Sequence, residues 1–210
     1  MKNIFVIGNG ESRRGFDLNI LKQHGITIGC NALYRDFAPE ILVAVDRPII
    51  SEICASGYAD SNRVYVRHRW YDEFKQHTGI NQLPAFYTIS NKEQQGHPHT
   101  GWSSGPSAMG LATNFYDDND LPCRIFIIGF DLTGLGDKIN NIYKGTQHYL
   151  PADKAATFYG NWARQMEIVV SNRPNIQFIR MGINQVVPDI WSHLQNLEHD
   201  ELTNLEKYLK

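Results

Sequence analysis

Several short stretches of the chain carry groups able to bind or move charge. Gly8-Asn9-Gly10, directly after the apolar run Ile4–Ile7, offers backbone N–H groups that no Cβ shields from a ligand. A helix opening nearby would add its positive dipole end, which suits a phosphate. Ser103-Ser104-Gly105-Pro106-Ser107 leads into the small-residue stretch Ala108–Thr113. Two hydroxyls and unpaired N–H groups at a helix start make a second anion or ribose site, an ordinary Ser cap being the alternative. Asp46 and Asp131 each follow an apolar run, where a carboxylate can hold Mg²⁺ through water or accept a ribose hydroxyl. Neither has a neighbouring carboxylate in sequence, so a dedicated metal site is not indicated. His148, between Tyr143 and Tyr149, is the candidate general base, since an imidazole titrates where proton transfer is efficient. An exposed loop histidine is the competing explanation. His97-Pro-His99 resembles a metal-ligand pair but has no third ligand near it.

Other well-known motifs are missing. The chain has no Gly-x-x-x-x-Gly-Lys-Ser/Thr loop, and Gly8-Asn9-Gly10 lacks the third glycine of the dinucleotide fingerprint. It has no Gly-x-Ser-x-Gly nucleophile turn.

The elements that must position these residues follow from hydrophobic patterning. Ile4–Ile7, Ile26–Cys30, Ile41–Val45, Val64–Val66, Arg124–Ile128 and Ile176–Ile179 read as buried strands. Phe16–His24, Pro48–Ser56, Ser107–Tyr116 and Ala155–Ser171 read as helices. Such alternation predicts an α/β, Rossmann-like fold with a mostly parallel sheet and helices on both faces. Ligands then bind at the strand C-termini, near the topological switch point. Four strand ends supply Gly8-Asn9-Gly10, Cys30-Asn31, Asp46-Arg47-Pro48 and Gly129-Phe130-Asp131, any of which could also be plain turn chemistry. Residues 84–106 read as a strand and a polar loop entering a helix, and residues 132–153 as a lid-like insertion.

The 210 residues suit one Rossmann-like nucleotide-binding domain over 1–187 and a C-terminal helical segment over 188–210. That segment carries Ile190, Leu194, Leu197, Leu202, Leu205 and Leu209 at spacings that fit an amphipathic helix or two short ones. It would pack on the domain or form a subunit contact in a homo-oligomer. The formal charge of −2 gives no global drive toward nucleic acid or anionic membrane. Arg63, Arg67, His68 and Arg69 form either a local basic patch or a solvated strand edge. Cys30, Cys54 and Cys123 are too scattered for a disulfide framework. No apolar stretch approaches the roughly 20 residues of a membrane span, so a cytoplasmic location is the default expectation.

Gly8-Asn9-Gly10-x-Ser12, Cys30-Asn31, Ser104-Gly105 before a small-residue helix, and Ile128-Gly129-Phe130-Asp131 occur in an order that resembles the bacterial CMP-sialic-acid-dependent sialyltransferases of glycosyltransferase family 42. Related motifs occur in motility accessory factor glycosyltransferases and in archaeal 6-hydroxymethylpterin diphosphokinase. The resemblance spans roughly residues 3–150. It implies nucleotide contacts from Asn9, Asn31, Ser104 and Gly105, a tyrosine on the departing phosphate (Tyr143) and a histidine base (His148). Leu132 stands where the family has a tyrosine after the Asp, and Glu11 replaces a proline. An Asp after the third strand, here Asp46, is the pterin-kinase variant. The implied activity is glycosyl transfer from a CMP-sugar or other nucleotide-sugar donor to an acceptor, by direct displacement and with no tightly bound cofactor. The alternatives are Mg²⁺-dependent pyrophosphoryl transfer from ATP and nucleotide binding without catalysis.

Overall fold

The computed structural model describes residues 2–84, 101–115, 122–157, 159–182 and 186–209. The strand and polar loop expected over 85–100, with His97 and His99, lie outside these residues.

Eight strands form one sheet: β1 (Lys2–Ile7), β2 (Ile26–Cys30), β3 (Ile41–Ala44), β4 (Arg63–Val66), β5 (Ile80–Gln82), β6 (Cys123–Ile128), β7 (Gln177–Met181) and β8 (Leu197–Asp200). Their order is β5-β4-β3-β2-β1-β6-β7-β8, and every pairing is parallel. The order reverses between β1 and β6, which makes that seam the switch point of a Rossmann-like α/β fold. Central strands read as unbroken apolar runs because both of their faces are covered.

Successive residues of a strand point to opposite faces, and the core divides accordingly. Phe5, Ile7, Leu42, Ala44, Phe126 and Ile128 pack with α1 (Arg47–Ala55), α2 (Tyr58–Ser61) and α3 (His68–Phe74). Ile4, Val6, Ile28, Val43, Ile125 and Ile127 pack with α4 (Ser104–Thr113) and α5 (Gly160–Ser171). All but Gly105 of the α4 residues are buried, and the small side chains Ala108, Gly110 and Ala112 let the helix press against the sheet.

Several elements differ from the sequence expectation. Phe16–His24 is not an α-helix but a 3-10 segment over Leu18–Gln23. Its two buried leucines, Leu18 and Leu21, have the three-residue spacing that a 3-10 turn places on one side. The helix expected from Ser107 starts at Ser104, with Pro106 tolerated in the first turn. The C-terminal segment is not an amphipathic helix. It forms 3-10 turns at Asp189–Trp191 and Leu202–Lys207 around strand β8, which pairs Phe178 with Leu197 at the free edge of β7. The helix invoked for a subunit contact is therefore absent among the described residues. All three cysteines are buried and free, and burial raises the Cys30 thiol to about 12. No helix of the described residues is long and apolar enough to cross a membrane.

Candidate functional site

The C-terminal ends of β1, β2, β3, β4 and β6 surround a cavity of about 950 Å³. Its wall includes Gly8, Asn9 and Gly10 after β1, Asn31 after β2, Asp46 after β3, Arg67 and Arg69 after β4, and Asp131 after β6. Ser104 and Gly105 at the start of α4 complete one side, and His148 and Tyr149 from the segment spanning 132–157 also line the cavity. Nine of the eleven sequence-derived candidates thus meet in one place, and Ser12 and Tyr143 do not line it.

The glycine turn is tightly committed. Gly8 donates its N–H to Ile128 O (2.7 Å) and Gly10 donates to Gly129 O (2.8 Å). Glu11 N–H donates to Asn140 Oδ1 (2.8 Å) and Ser12 N–H to Asp131 Oδ2 (3.0 Å). The Ser12 hydroxyl also donates to Asp131. The phosphate cradle expected here is therefore largely occupied: four of its N–H groups already have protein partners, Asn9 N–H has none among the described residues, and the Asp131 carboxylate takes the place of an anion at Ser12. No α-helix opens after the turn either, only the 3-10 residues Glu11–Arg13. The glycines are needed for closeness, since a Cβ at Gly8 would lie 2.6 Å from Gly129 O.

Asn9 donates through Nδ2 to Cys30 O (3.3 Å) and to the Tyr149 hydroxyl (3.4 Å). A carbonyl only accepts, so this bond fixes which end of the amide is nitrogen. Asn9 Oδ1 is buried without a partner among the described residues and can accept from a ligand. Asn31 sits at φ 51, a left-handed conformation that asparagine tolerates better than most residues. Its Oδ1 accepts from Ser104 Oγ (2.7 Å), which in turn accepts from Val45 N–H (3.3 Å). Ser104 is thus a link between β2, β3 and α4 rather than a helix cap. The N–H groups of Ser104 and Gly105, in the first turn of α4, have no partner among the described residues.

Asp46 precedes α1, is exposed and makes no side-chain cap bond. Among the described residues no group of three or more His, Cys, Asp or Glu side chains could hold a metal ion. A Mg²⁺ here would rest on Asp46, ligand oxygens and water, as Mg²⁺ commonly does. The loop carrying Asp131 is held from β7: Arg180, 1% exposed, donates to Phe130 O (2.9 Å), Asp131 O (2.8 Å) and Val186 O (2.7 Å). Burial lowers the Arg180 guanidinium to about 10, against the opposing pull of Asp131.

His148, at φ 66, places Nε2 3.5 Å from Glu52 Oε2. Glu52 also accepts from Arg35 (2.8 and 2.6 Å) and Tyr34 (2.5 Å). Burial would raise this carboxyl, but the bonds from Arg35 and Tyr34 and the nearby His148 hold it below its usual range. Arg35 reaches on to Thr146 Oγ1 (2.7 Å) and Gln147 O (3.1 Å), anchoring the loop that carries His148.

Tyr143 corrects the expectation drawn from the resemblance. It is buried, donates to Asp36 and accepts from Arg13 (3.1 Å), away from the cavity. Tyr149, by contrast, lines the cavity, as does Tyr159. The Tyr149 hydroxyl accepts from Asn9 and from Ala32 N–H (3.3 Å), and burial raises it to about 12, so it stays a neutral donor.

Arg67 and Arg69 were visible in the sequence only as part of a basic cluster. The signal that finds them is the strand-end rule applied to β4, whose C-terminus leads straight into Arg67-His68-Arg69. Arg63, by contrast, is exposed on the strand itself. Comparison of the chain with protein-family models, with curated proteins and with solved structures found no match.

Proposed function

We propose that the cavity binds a nucleotide-sugar and that the protein is a glycosyltransferase, with a CMP-sugar as the first donor to test. The observation that carries this reading is the convergence of five strand-end segments on one cavity at the switch point, with a His148–Glu52 pair in reach of it. A volume of about 950 Å³ accommodates a nucleotide together with a sugar.

In this reading Asn9, Asn31 and Ser104 hold the nucleoside. Glu52 only accepts hydrogen bonds, so it favours the His148 proton on Nε2 and leaves Nδ1 as the base. His148 Nδ1 takes the proton of the acceptor hydroxyl as its oxygen bonds to the anomeric carbon. The bond from that carbon to the phosphate oxygen breaks, and the nucleotide leaves with the electron pair. Tyr149 donates its phenolic proton in a hydrogen bond to that leaving oxygen, in place of Tyr143.

The test is a thermal-shift panel of CMP, CDP, UDP, GDP and ATP, each with and without Mg²⁺. A ligand at 100 times its Kd stabilises by ~2.7 kcal/mol, which raises the melting temperature measurably. Stabilisation by a pyrimidine nucleotide without metal supports the reading. Stabilisation by ATP with Mg²⁺ alone transfers it to pyrophosphoryl transfer, and no shift with any of them overturns it.

A further inference from the structure

We infer that the ligand's phosphate is held by Arg67 and Arg69 at the end of β4, not by the glycine turn after β1; this rests on the nucleotide reading of the same cavity. The glycine turn has spent most of its donors, Asn9 N–H alone having no partner among the described residues. Gly8, Gly10, Glu11 and Ser12 all give their N–H groups to protein acceptors, and the Asp131 carboxylate beside them repels a second anion.

The β4 end has the opposite character. Arg67 and Arg69 both line the cavity, and neither forms an ion pair with a carboxylate among the described residues. Four arginines elsewhere do: Arg13 with Asp36, Arg14 with Glu11, Arg35 with Glu52 and Arg47 with Glu73. Arg67 is half-buried and donates to Trp102 O, a neutral acceptor that does not neutralise its charge. Arg69 lies 4.5 Å over the Trp70 ring, which orients the guanidinium without neutralising it. Asp46 lines the same cavity and partly offsets Arg67, while Asp131, the other carboxylate of the wall, is engaged by Ser12 at the β1 turn.

Desolvation disfavours the charge of the half-buried Arg67, and an anionic ligand there, also within reach of the exposed Arg69, offsets that cost. Guanidinium groups match phosphate oxygens with paired N–H donors, which suits a phosphate or pyrophosphate better than a lone sugar hydroxyl. The unpartnered Ser104 and Gly105 N–H groups line the same cavity and add donors of the same sign. The nucleotide therefore lies with its phosphate toward β4 and α4, and its nucleoside toward Asn9 and Tyr149.

Calorimetric titration of the whole protein with inorganic pyrophosphate, CMP and cytidine tests this. Arg69→Gln is expected to weaken pyrophosphate at least 10-fold and to reduce the CMP-to-cytidine affinity ratio by a similar factor, with cytidine affinity unchanged. Arg67→Gln is expected to act in the same direction. Should that variant misfold through loss of its Trp102 bond, Arg69→Gln carries the test alone. Wild-type protein that fails to bind pyrophosphate, or Arg69→Gln protein that binds it as the wild type does, overturns the inference. Pyrophosphate binding that depends on Arg69 in a protein that binds no nucleotide upholds the anion site and sinks the nucleotide reading. Nucleotide binding with an unchanged ratio in Arg69→Gln does the reverse.

Discussion

A Cβ at Gly10 would lie 2.5 Å from the carboxylate carbon of Asp131, so these two residues, far apart in sequence, leave no room between them for a side chain at position 10. Gly10 itself has φ −68, so the requirement is steric and not conformational. Gly10→Ala should cost about 1–3 kcal/mol, the usual penalty for forcing an extra carbon into a packed site. The same substitution in an Asp131→Ala background should cost far less, because the obstructing carboxylate is gone. Denaturant midpoints of the four proteins in that cycle give the coupling directly; equal costs in both backgrounds would show that the contact is not the cause.

The two tyrosines of the 132–157 segment should separate by phenotype. Tyr149→Phe removes the cavity-wall phenol that meets Asn9 and Ala32 and is expected to reduce turnover. Tyr143→Phe removes a bond to Asp36 and one from Arg13, and is expected to lower stability by about 1 kcal/mol, with turnover retained. Chemical denaturation beside a donor-hydrolysis or transfer assay reads both effects. A Tyr143→Phe protein that is stable and inactive would restore the role that the motif resemblance assigns it.

His148→Ala should lower turnover by ~10²–10⁴, the range for loss of a general base, while nucleotide binding persists. Glu52→Gln should lower it less, since the amide still meets Arg35 yet no longer favours one imidazole tautomer. Comparing kcat with the Kd for nucleotide in each variant tests this assignment, and unchanged kcat in His148→Ala refutes it.

Acid should release the 132–157 segment before it unfolds the domain. Glu11 pairs with Arg14 and with Lys144, and the Arg14 bond, opposed by partial burial and supported by Lys144, lowers its carboxyl from 4.5 to about 2. A carboxyl that is more acidic in the folded state contributes its stabilisation above the unfolded pKa. That contribution falls away as pH drops from about 4.5 through about 2. Hydrogen exchange over residues 140–150 should therefore accelerate across that window in wild-type protein. Glu11→Gln should show the faster exchange already at neutral pH.

Arg180→Met should destabilise by about 3–5 kcal/mol, the scale for breaking a buried charged network. It strips the Phe130, Asp131 and Val186 carbonyls of a donor at once. Thermal melts read the loss; a shift of a few tenths of a kcal/mol would mean that water replaces the guanidinium.

What the sequence made legible, it did through burial on both faces. Strands such as Ile4–Ile7 and Arg124–Ile128 announce themselves as apolar runs because helices cover them on each side. The edge strands do not. Ile80–Gln82 is three residues long, and Leu197-Glu198-His199-Asp200 carries the polar character of an edge, formed by pairing with β7 and not by local preference. Asn9, Asn31, Asp46, Ser104 and Asp131 were found because each stands at or beside an element terminus. Their uses were less accessible: whether an N–H in the glycine turn faces a ligand or Asp131 depends on a partner over a hundred residues away. Tyr143 and Tyr149 share one loop, and spacing alone does not say which of them turns toward the core. Arg67 and Arg69 carry the right signal as a strand end, but in the sequence it is overlaid by charge clustering with Arg63 and His68.

The central strand of the sheet joins its neighbours at very different times in the life of a chain. β1 meets β2 through Ile4 and Ile26, but its other edge waits for Ile125 of β6. On the ribosome, β1 through β5 emerge with one long apolar border open, and no shorter nascent chain can close it. Because the walls of the cavity come from both sides of that border, binding competence arrives late, after synthesis has passed β6.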